Sequence, residues 1–175
     1  MSKTKQDVFI TNNSRETQKL GAKFARILLA QAVQGVSLSR DNVVALYGNL
    51  GSGKTTFIQG VGKGLEVTDL EEVRSPTFTL IQEHLGKFPF CHVDLYRISW
   101  DEIKNLGLEE YWKTSLGNSQ NQWVIAIEWA QKIKEILNKE QEENLLIIKF
   151  ETLSFQERKI SILGNRKWKK IFKKS

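Results

Sequence analysis

Gly48-Asn49-Leu50-Gly51-Ser52-Gly53-Lys54-Thr55 follows an apolar run, Val43-Val44-Ala45-Leu46-Tyr47, and opens a stretch that reads as helix from about Lys54 to Gly64. The octet fits G-x-x-x-x-G-K-[ST], the phosphate loop. Each residue type has a physical reason to be there. Gly48, Gly51 and Gly53 let the backbone fold tightly and aim its N–H groups at phosphate oxygens. The N-terminus of the following helix adds positive potential at the same point. Lys54 sets a cation against β- and γ-phosphates, and Thr55 offers a hydroxyl to Mg²⁺. The run before the loop is apolar on both faces, which predicts a central strand buried under helices. That context argues against a flexible turn with an incidental lysine.

A loop of this kind needs a carboxylate near Mg²⁺, at the C-terminal end of a neighbouring strand. Two fit. Asp94 lies in Cys91-His92-Val93-Asp94-Leu95-Tyr96-Arg97, and Glu128 closes Trp123-Val124-Ile125-Ala126-Ile127. An acid at the end of an apolar strand is costly to bury unless it is paired or metal-bound. The plain alternative is a strand-end acid bridged to a base such as Arg97. Glu128 could bind Mg²⁺ directly, act through water, or orient the attacking water. His92 and Cys91 read as buried strand residues without chemistry. Trp129 could stack on a ligand or simply pack.

The rest of the chain predicts one layered α/β domain. Asn13 can cap a first helix, with Glu16 at the third helical position, and Leu20, Phe24, Ile27 and Leu28 give it a buried face. Phe88 to Arg97 reads as a strand ending near Asp94. Asp101 can cap a short helix, and Ala130 to Leu137 reads as helical. Leu145 to Phe150 and Arg158 to Leu163 read as a late strand pair. The expected fold is a three-layer sandwich like that of P-loop NTPases, with a mostly parallel central sheet and a late antiparallel strand pair. Residues 1–164 would form the ATPase domain and 165–175 a basic tail.

Composition sets the outer bounds. The chain has 175 residues, 40% hydrophobic and 26% charged, as expected of a globular protein. One cysteine and two histidines exclude a disulfide framework and a cysteine- or histidine-rich metal cluster. The polar start and the absence of any long apolar run predict a cytoplasmic protein with no membrane segment. Of the 26 Lys and Arg residues, Arg166, Lys167, Lys169, Lys170, Lys173 and Lys174 lie in the tail; without them the chain carries 20 bases and 20 acids. The +6 net charge is therefore the tail's. With Trp168, Ile171 and Phe172 at helical spacing, the tail could contact RNA phosphates, a partner or an anionic surface, or simply rest on the body.

Four segments together resemble the TsaE family, also called YjeE: Gly48 to Phe57, Ser75-Pro76-Thr77-Phe78-Thr79-Leu80, His92-Val93-Asp94-Leu95-Tyr96-Arg97 and Ile127-Glu128-Trp129. Glu16-Thr17, Leu20-Gly21, Leu106-Gly107-Leu108 and Arg158 before Ile160 support it, over roughly residues 8 to 164. The loop occurs in many families, whereas Ser-Pro-Thr-Phe with His-x-Asp-Leu-Tyr-Arg is far more specific. The resemblance implies a slow ATPase that binds ATP with Mg²⁺. It would be required for N6-threonylcarbamoyladenosine (t6A) at position 37 of tRNA, and would dock on the heterodimer of TsaD and TsaB. The ATPase would reset that complex rather than transfer the threonylcarbamoyl group. By position, Gly51, Ser52, Gly53, Lys54, Thr55 and Thr56 would cradle the phosphates. Thr55, Glu128 and Asp94 would attend the metal, with Lys54, Asp94 and Glu128 as the catalytic set. Ser75, Pro76, Thr77 and Phe78 would form a nucleotide-sensitive switch, with Trp129 close to the nucleotide. Contact with tRNA would be indirect, with the basic tail as one route. His84, Gln59, Asn49 and Ser52 depart from the family's usual tyrosine, arginine, aspartate and alanine.

Two other classes compete. A P-loop small-molecule kinase would want an acceptor pocket and an arginine-bearing lid, and Glu66 to Lys87 is short for one, with only Arg74. A nucleotide-regulated RNA-binding module would use the basic tail. A guanine-nucleotide switch ranks lower: Asn138-Lys139-Glu140-Gln141 lacks the final acid of the base-reading motif, and Asp94 to Arg97 lacks the γ-phosphate glycine.

Overall fold

The computed structural model describes residues 5–33, 43–69, 73, 80–105, 107, 123–134 and 145–164. Among the described residues seven strands form one sheet: β1 (Lys5–Thr11), β2 (Val43–Tyr47), β3 (Ile81–His84), β4 (Phe90–Asp94), β5 (Val124–Glu128), β6 (Leu146–Thr152) and β7 (Arg158–Gly164). Among the described residues the helices are α1 (Ser14–Val33), α2 (Lys54–Gly64) and α3 (Trp100–Asn105), with a 3-10 turn at Ala130–Ile133. None of these helices is long and apolar enough to cross a membrane.

The strand order is β1-β7-β6-β2-β5-β4-β3. β2 runs parallel to both β5 and β6, and β5 runs parallel to β4. The pairs β6–β7, β7–β1 and β4–β3 are antiparallel. The sheet is therefore mixed, not mostly parallel: a parallel centre carries an antiparallel flank on each side. Two of those flanking strands, β1 and β3, were not expected from the sequence. β3 is short and polar, and β1 turns Val8 and Ile10 outward, 49% and 51% exposed, while only Phe9 packs on the core. Their alternation thus carries little sign of burial.

Alternation along the central strands splits the core in two. Val44, Leu46, Val124, Ala126, Leu146 and Ile148 face α1 and α2 and join Phe24, Leu28, Phe57 and Ile58. Val43, Ala45, Cys91, Val93, Ile125 and Ile127 face the other way and meet Ile103 of α3 and Ile133. Phe24 and Leu28 of α1 are buried as expected, and Leu20 and Ile27 pack at the edge of the same cluster.

Helices α1 and α2 meet almost backbone to backbone. A Cβ added at Gly60 would fall onto the Gln18 carbonyl, and one at Gly21 onto the Phe57 carbonyl. Gln18 also bonds Gln59 at 3.0 Å and Lys63 at 2.9 Å across the contact. Gln59 is thus part of the helix pair.

Two local expectations need correction. Ser99, not Asp101, caps α3: the Glu102 carboxylate accepts from Ser99 N at 2.7 Å, and the Ser99 hydroxyl accepts from Glu102 N at 3.4 Å. Asp101 falls inside the first turn. Among the described residues, the chain leaving β5 forms a 3-10 turn at Ala130–Ile133, and residues 135–137 of the expected helix lie outside them. The segment Ser75–Phe78 and the tail 165–175 also lie outside them.

Two measurements follow from this packing. Gly60→Val should destabilise the protein by about 1–3 kcal/mol, seen as a lower urea midpoint, because it drives the two helices apart. Cys91 is fully buried, and that burial, with Glu83 adding to it, pushes its thiol up to about 12. Ellman's reagent should label it only after unfolding; labelling of the native protein would show that β4 opens readily.

Candidate functional site

The phosphate loop leaves the C-terminal end of β2 and enters α2 through Gly53, the helix N-cap, at φ 99°. A side chain at that φ is strained, so glycine is the fitting residue. The first turn of α2 contains no acid, which leaves the positive end of the helix open. Ser52 N donates to Asn49 O at 3.2 Å and closes the loop.

The parity of the strands brings the two acids to this point. His92 and Asp94 share the face of Phe90, and Glu128 shares the face of Val124 and Ala126, which is the α1–α2 face. In the parallel register Asp94 pairs with Glu128, so both carboxylates end their strands at one level beside the loop. Both are buried. Glu128 Oε1 accepts the Thr55 hydroxyl at 2.8 Å. Asp94 Oδ1 accepts from Tyr96 N at 2.9 Å, which turns the chain sharply as β4 ends.

Lys54 is 4% exposed. Its Nζ donates to the Gly48 and Asn49 carbonyls, both at 2.9 Å, and sits 4.3 Å from the centre of the Trp129 ring. Burial pulls its pKa down, and the nearby Glu128 and Asp94 charges push back up. Trp129 also packs on Tyr96, with ring centres 4.8 Å apart and tilted by 33°, and holds a left-handed backbone, φ 59°, where β5 breaks into the 3-10 turn.

These groups line one cavity of about 440 Å³. Gly51 to Thr56 form its floor, and Asp94, Tyr96, Glu128 and Trp129 one wall. Asn13, Ser14 and Thr17 at the start of α1, with Phe155, Gln156 and Arg158 of the β6–β7 hairpin, complete its lining. The structure thus gathers Gly51, Ser52, Gly53, Lys54, Thr55, Thr56, Asp94, Glu128 and Trp129, which are far apart in the chain. The expected switch residues Ser75, Pro76, Thr77 and Phe78 are outside the described residues.

Three contributions were not read from the sequence as chemistry. Arg158 bonds the carbonyls of Ser154 at 3.0 Å and Glu157 at 2.9 Å, and reaches Gly51 O at 3.2 Å, tying the hairpin to the loop. Phe155 is 94% exposed at the mouth of the cavity. His92, expected to have no chemistry, lies with Nε2 3.1 Å from Glu128 Oε1. The alternation that puts Glu128 beside the loop also puts His92 beside Glu128. Only the register of two separate strands reveals that.

The capping of α1 follows the sequence expectation. Glu16 N donates to Asn13 Oδ1 at 2.9 Å, and Asn12 N donates to Glu16 Oε2 at 2.8 Å. This holds Asn13, Ser14 and Thr17 at the cavity wall.

The donor set suits a hard cation. Thr55, Asp94 and Glu128 offer oxygens, and among the described residues no group of three or more His, Cys, Asp or Glu forms a complete cage. Mg²⁺ needs no such cage, because it keeps waters and takes phosphate oxygens.

Residues 11–160 match the family model described as threonylcarbamoyl adenosine biosynthesis protein TsaE. The chain belongs to the TsaE family. The TsaE protein of Bacillus subtilis (strain 168) is 37% identical over 163 residues, covering 93% of this chain and 89% of its own. The TsaE of Nostoc sp. is 45% identical over 100 residues, 57% of this chain and 59% of that protein, and the match to the Synechocystis TsaE covers 60% of that protein. The chain thus spans less than two thirds of these two cyanobacterial relatives. The crystal structure of Bacillus subtilis YdiB superposes with a TM-score of 0.69 at 28% identity, over 99% of this chain and 96% of that one.

The capping contact makes a prediction about pH. Hydrogen bonds from the Asn12 backbone, then from its side chain, hold the exposed Glu16 carboxyl below its usual range. A depressed folded value means that the ionised form stabilises the fold above the unfolded value, and that this is lost as pH falls through the folded value. Wild type should exceed Glu16→Gln in urea midpoint at neutral pH, with the gap closing in acid. A gap independent of pH would show that the carboxylate charge contributes nothing to the cap.

Proposed function

We propose that this protein is a slow Mg-ATPase of the P-loop class, built as a three-layer sandwich, that serves t6A formation on tRNA by acting on the TsaB–TsaD pair. The observation that carries the reading is the 2.8 Å bond from Thr55 to Glu128, which joins the first turn of the phosphate-loop helix to a strand-end carboxylate inside one cavity. The membership of the family supports the link to tRNA modification.

On this reading the N–H groups of Gly51 to Thr56 hold the β- and γ-phosphates at the positive end of α2. Lys54 leaves the Gly48 and Asn49 carbonyls for phosphate oxygens, a short transfer for a side chain already over the loop. Thr55, Glu128 and Asp94 would hold Mg²⁺, which supplies charge neutralisation on the phosphate oxygens. Glu128 and Asp94 balance the charge of Lys54 and orient the water that attacks the γ-phosphate. Trp129 and Tyr96 keep bulk water from that wall. Ser75 to Phe78 would act as the switch that reports the nucleotide to the partner. Among the described residues Arg158 is the arginine that lines the cavity, and it is occupied with loop carbonyls. That fits slow hydrolysis by the chain alone.

The test is ATP hydrolysis by the protein alone and with the purified TsaB–TsaD pair, for wild type and Glu128→Ala. Hydrolysis should be slow alone and stimulated by the pair, and Glu128→Ala should lower the stimulated rate by about a hundredfold or more. Enzyme-like turnover without partners would overturn the reading and favour a free-standing kinase, to be sought through its phosphoryl acceptor.

A further inference from the structure

The Glu128 carboxylate is held from behind as well as from the loop. Its Oε1 receives the Thr55 hydroxyl at 2.8 Å and faces His92 Nε2 at 3.1 Å. His92 is 0% exposed and Glu128 2%. A buried carboxylate is expensive unless donors meet it. The imidazole is rigidly set, since its ring lies 6.3 Å from the Phe90 ring at 14°, and Phe90 stacks on His84 at 5.7 Å and 20°. Nδ1 of His92 has no hydrogen-bond partner among the described residues. A bare ring nitrogen tolerates that burial better than an N–H, so the ring hydrogen belongs on Nε2, pointing at Glu128.

We propose that His92 is a positioning residue for Glu128. Both donors fall on Oε1, which leaves Oε2 to the cavity that Glu128 lines. Because Thr55 gives its hydrogen to Oε1, its lone pairs would be left for a cation. His92 thus orients two oxygen donors without touching nucleotide or metal, as outer partners of metal ligands do elsewhere. The proposal rests on the Mg-ATP reading above.

The test measures ATP affinity by calorimetry, in Mg²⁺ and in EDTA, together with kcat and KM in the presence of TsaB–TsaD. His92→Phe keeps the ring stack and removes the donor. His92→Gln places an amide nitrogen the same number of bonds from the backbone as Nε2. His92→Phe should lower kcat by about tenfold with little change in KM, and should shrink the gain in ATP affinity that Mg²⁺ brings. Its affinity in EDTA should stay at the wild-type value, which also reports an intact fold. His92→Gln should restore most of kcat and of the Mg²⁺ gain. In a Glu128→Ala background His92→Phe should cost nothing further in that gain, because the effect runs through the carboxylate. If His92→Phe does not fold, His92→Asn replaces it, its amide being one bond too short to reach Oε1. A donor-less variant with the full Mg²⁺ gain would overturn the proposal. Equal losses in the Gln and donor-less forms, or additive losses in the Glu128→Ala background, would do the same. Wild type that binds no ATP, or gains nothing from Mg²⁺, would instead overturn the Mg-ATP reading itself and the role of His92 with it.

Discussion

Burial of β2 on both faces is the constraint on which the other features depend. Its backbone groups must be met by strands on either side, and they are, by β5 and β6 in parallel. Parallel neighbours end on the same side of the sheet, so the turn leaving β2 opens beside the end of β5. A glycine-rich turn there can do two things at once. It delivers the chain into α2 over the sheet, and it leaves the positive end of that helix facing the carboxylate of Glu128. The site is a consequence of strand direction before it is a consequence of any particular side chain.

The helix pair adds the second condition. Gly21 and Gly60 let α1 and α2 approach to backbone contact. That closeness brings the capped start of α1, with Asn13 and Thr17, to the rim of the phosphate loop. Arg158, which lines the same cavity, links the β6–β7 hairpin to Gly51. The loop is therefore braced by elements from both ends of the chain, and its shape does not depend on its own glycines alone.

The cavity wall shows how charge is managed in a buried setting. Lys54 is held by two carbonyls and an aromatic face, with Asp94 and Glu128 near enough to favour its cation against the cost of burial. Glu128 is in turn held by Thr55 and His92. Glu128 Oε1 is thus shared by two side chains, and Lys54 by two carbonyls, which couples these groups to one another.

Much of this was legible in the residues. The run Val43–Tyr47, the loop after it, the helix Lys54–Gly64 and the capping of α1 are local patterns, and local patterns are set by spacing and residue type. Asp94 and Glu128 could be chosen because an acid closing an apolar run is rare without a reason. What the residues alone did not disclose is relational. β1 and β3 pair at the flanks, where Val8 and Ile10 face outward and alternation loses its meaning. The order that makes the sheet mixed depends on which strands meet. Ser99 wins the cap of α3 from Asp101 through a reciprocal bond with Glu102. The contacts of His92 with Glu128 and of Arg158 with Gly51 join positions 36 and 107 residues apart in sequence. Sequence determines what each segment can form and which chemistry its side chains carry. Only the tertiary structure decides which of them share a face and a depth, because that follows from strand register and helix approach, and neither is encoded in any one stretch of chain.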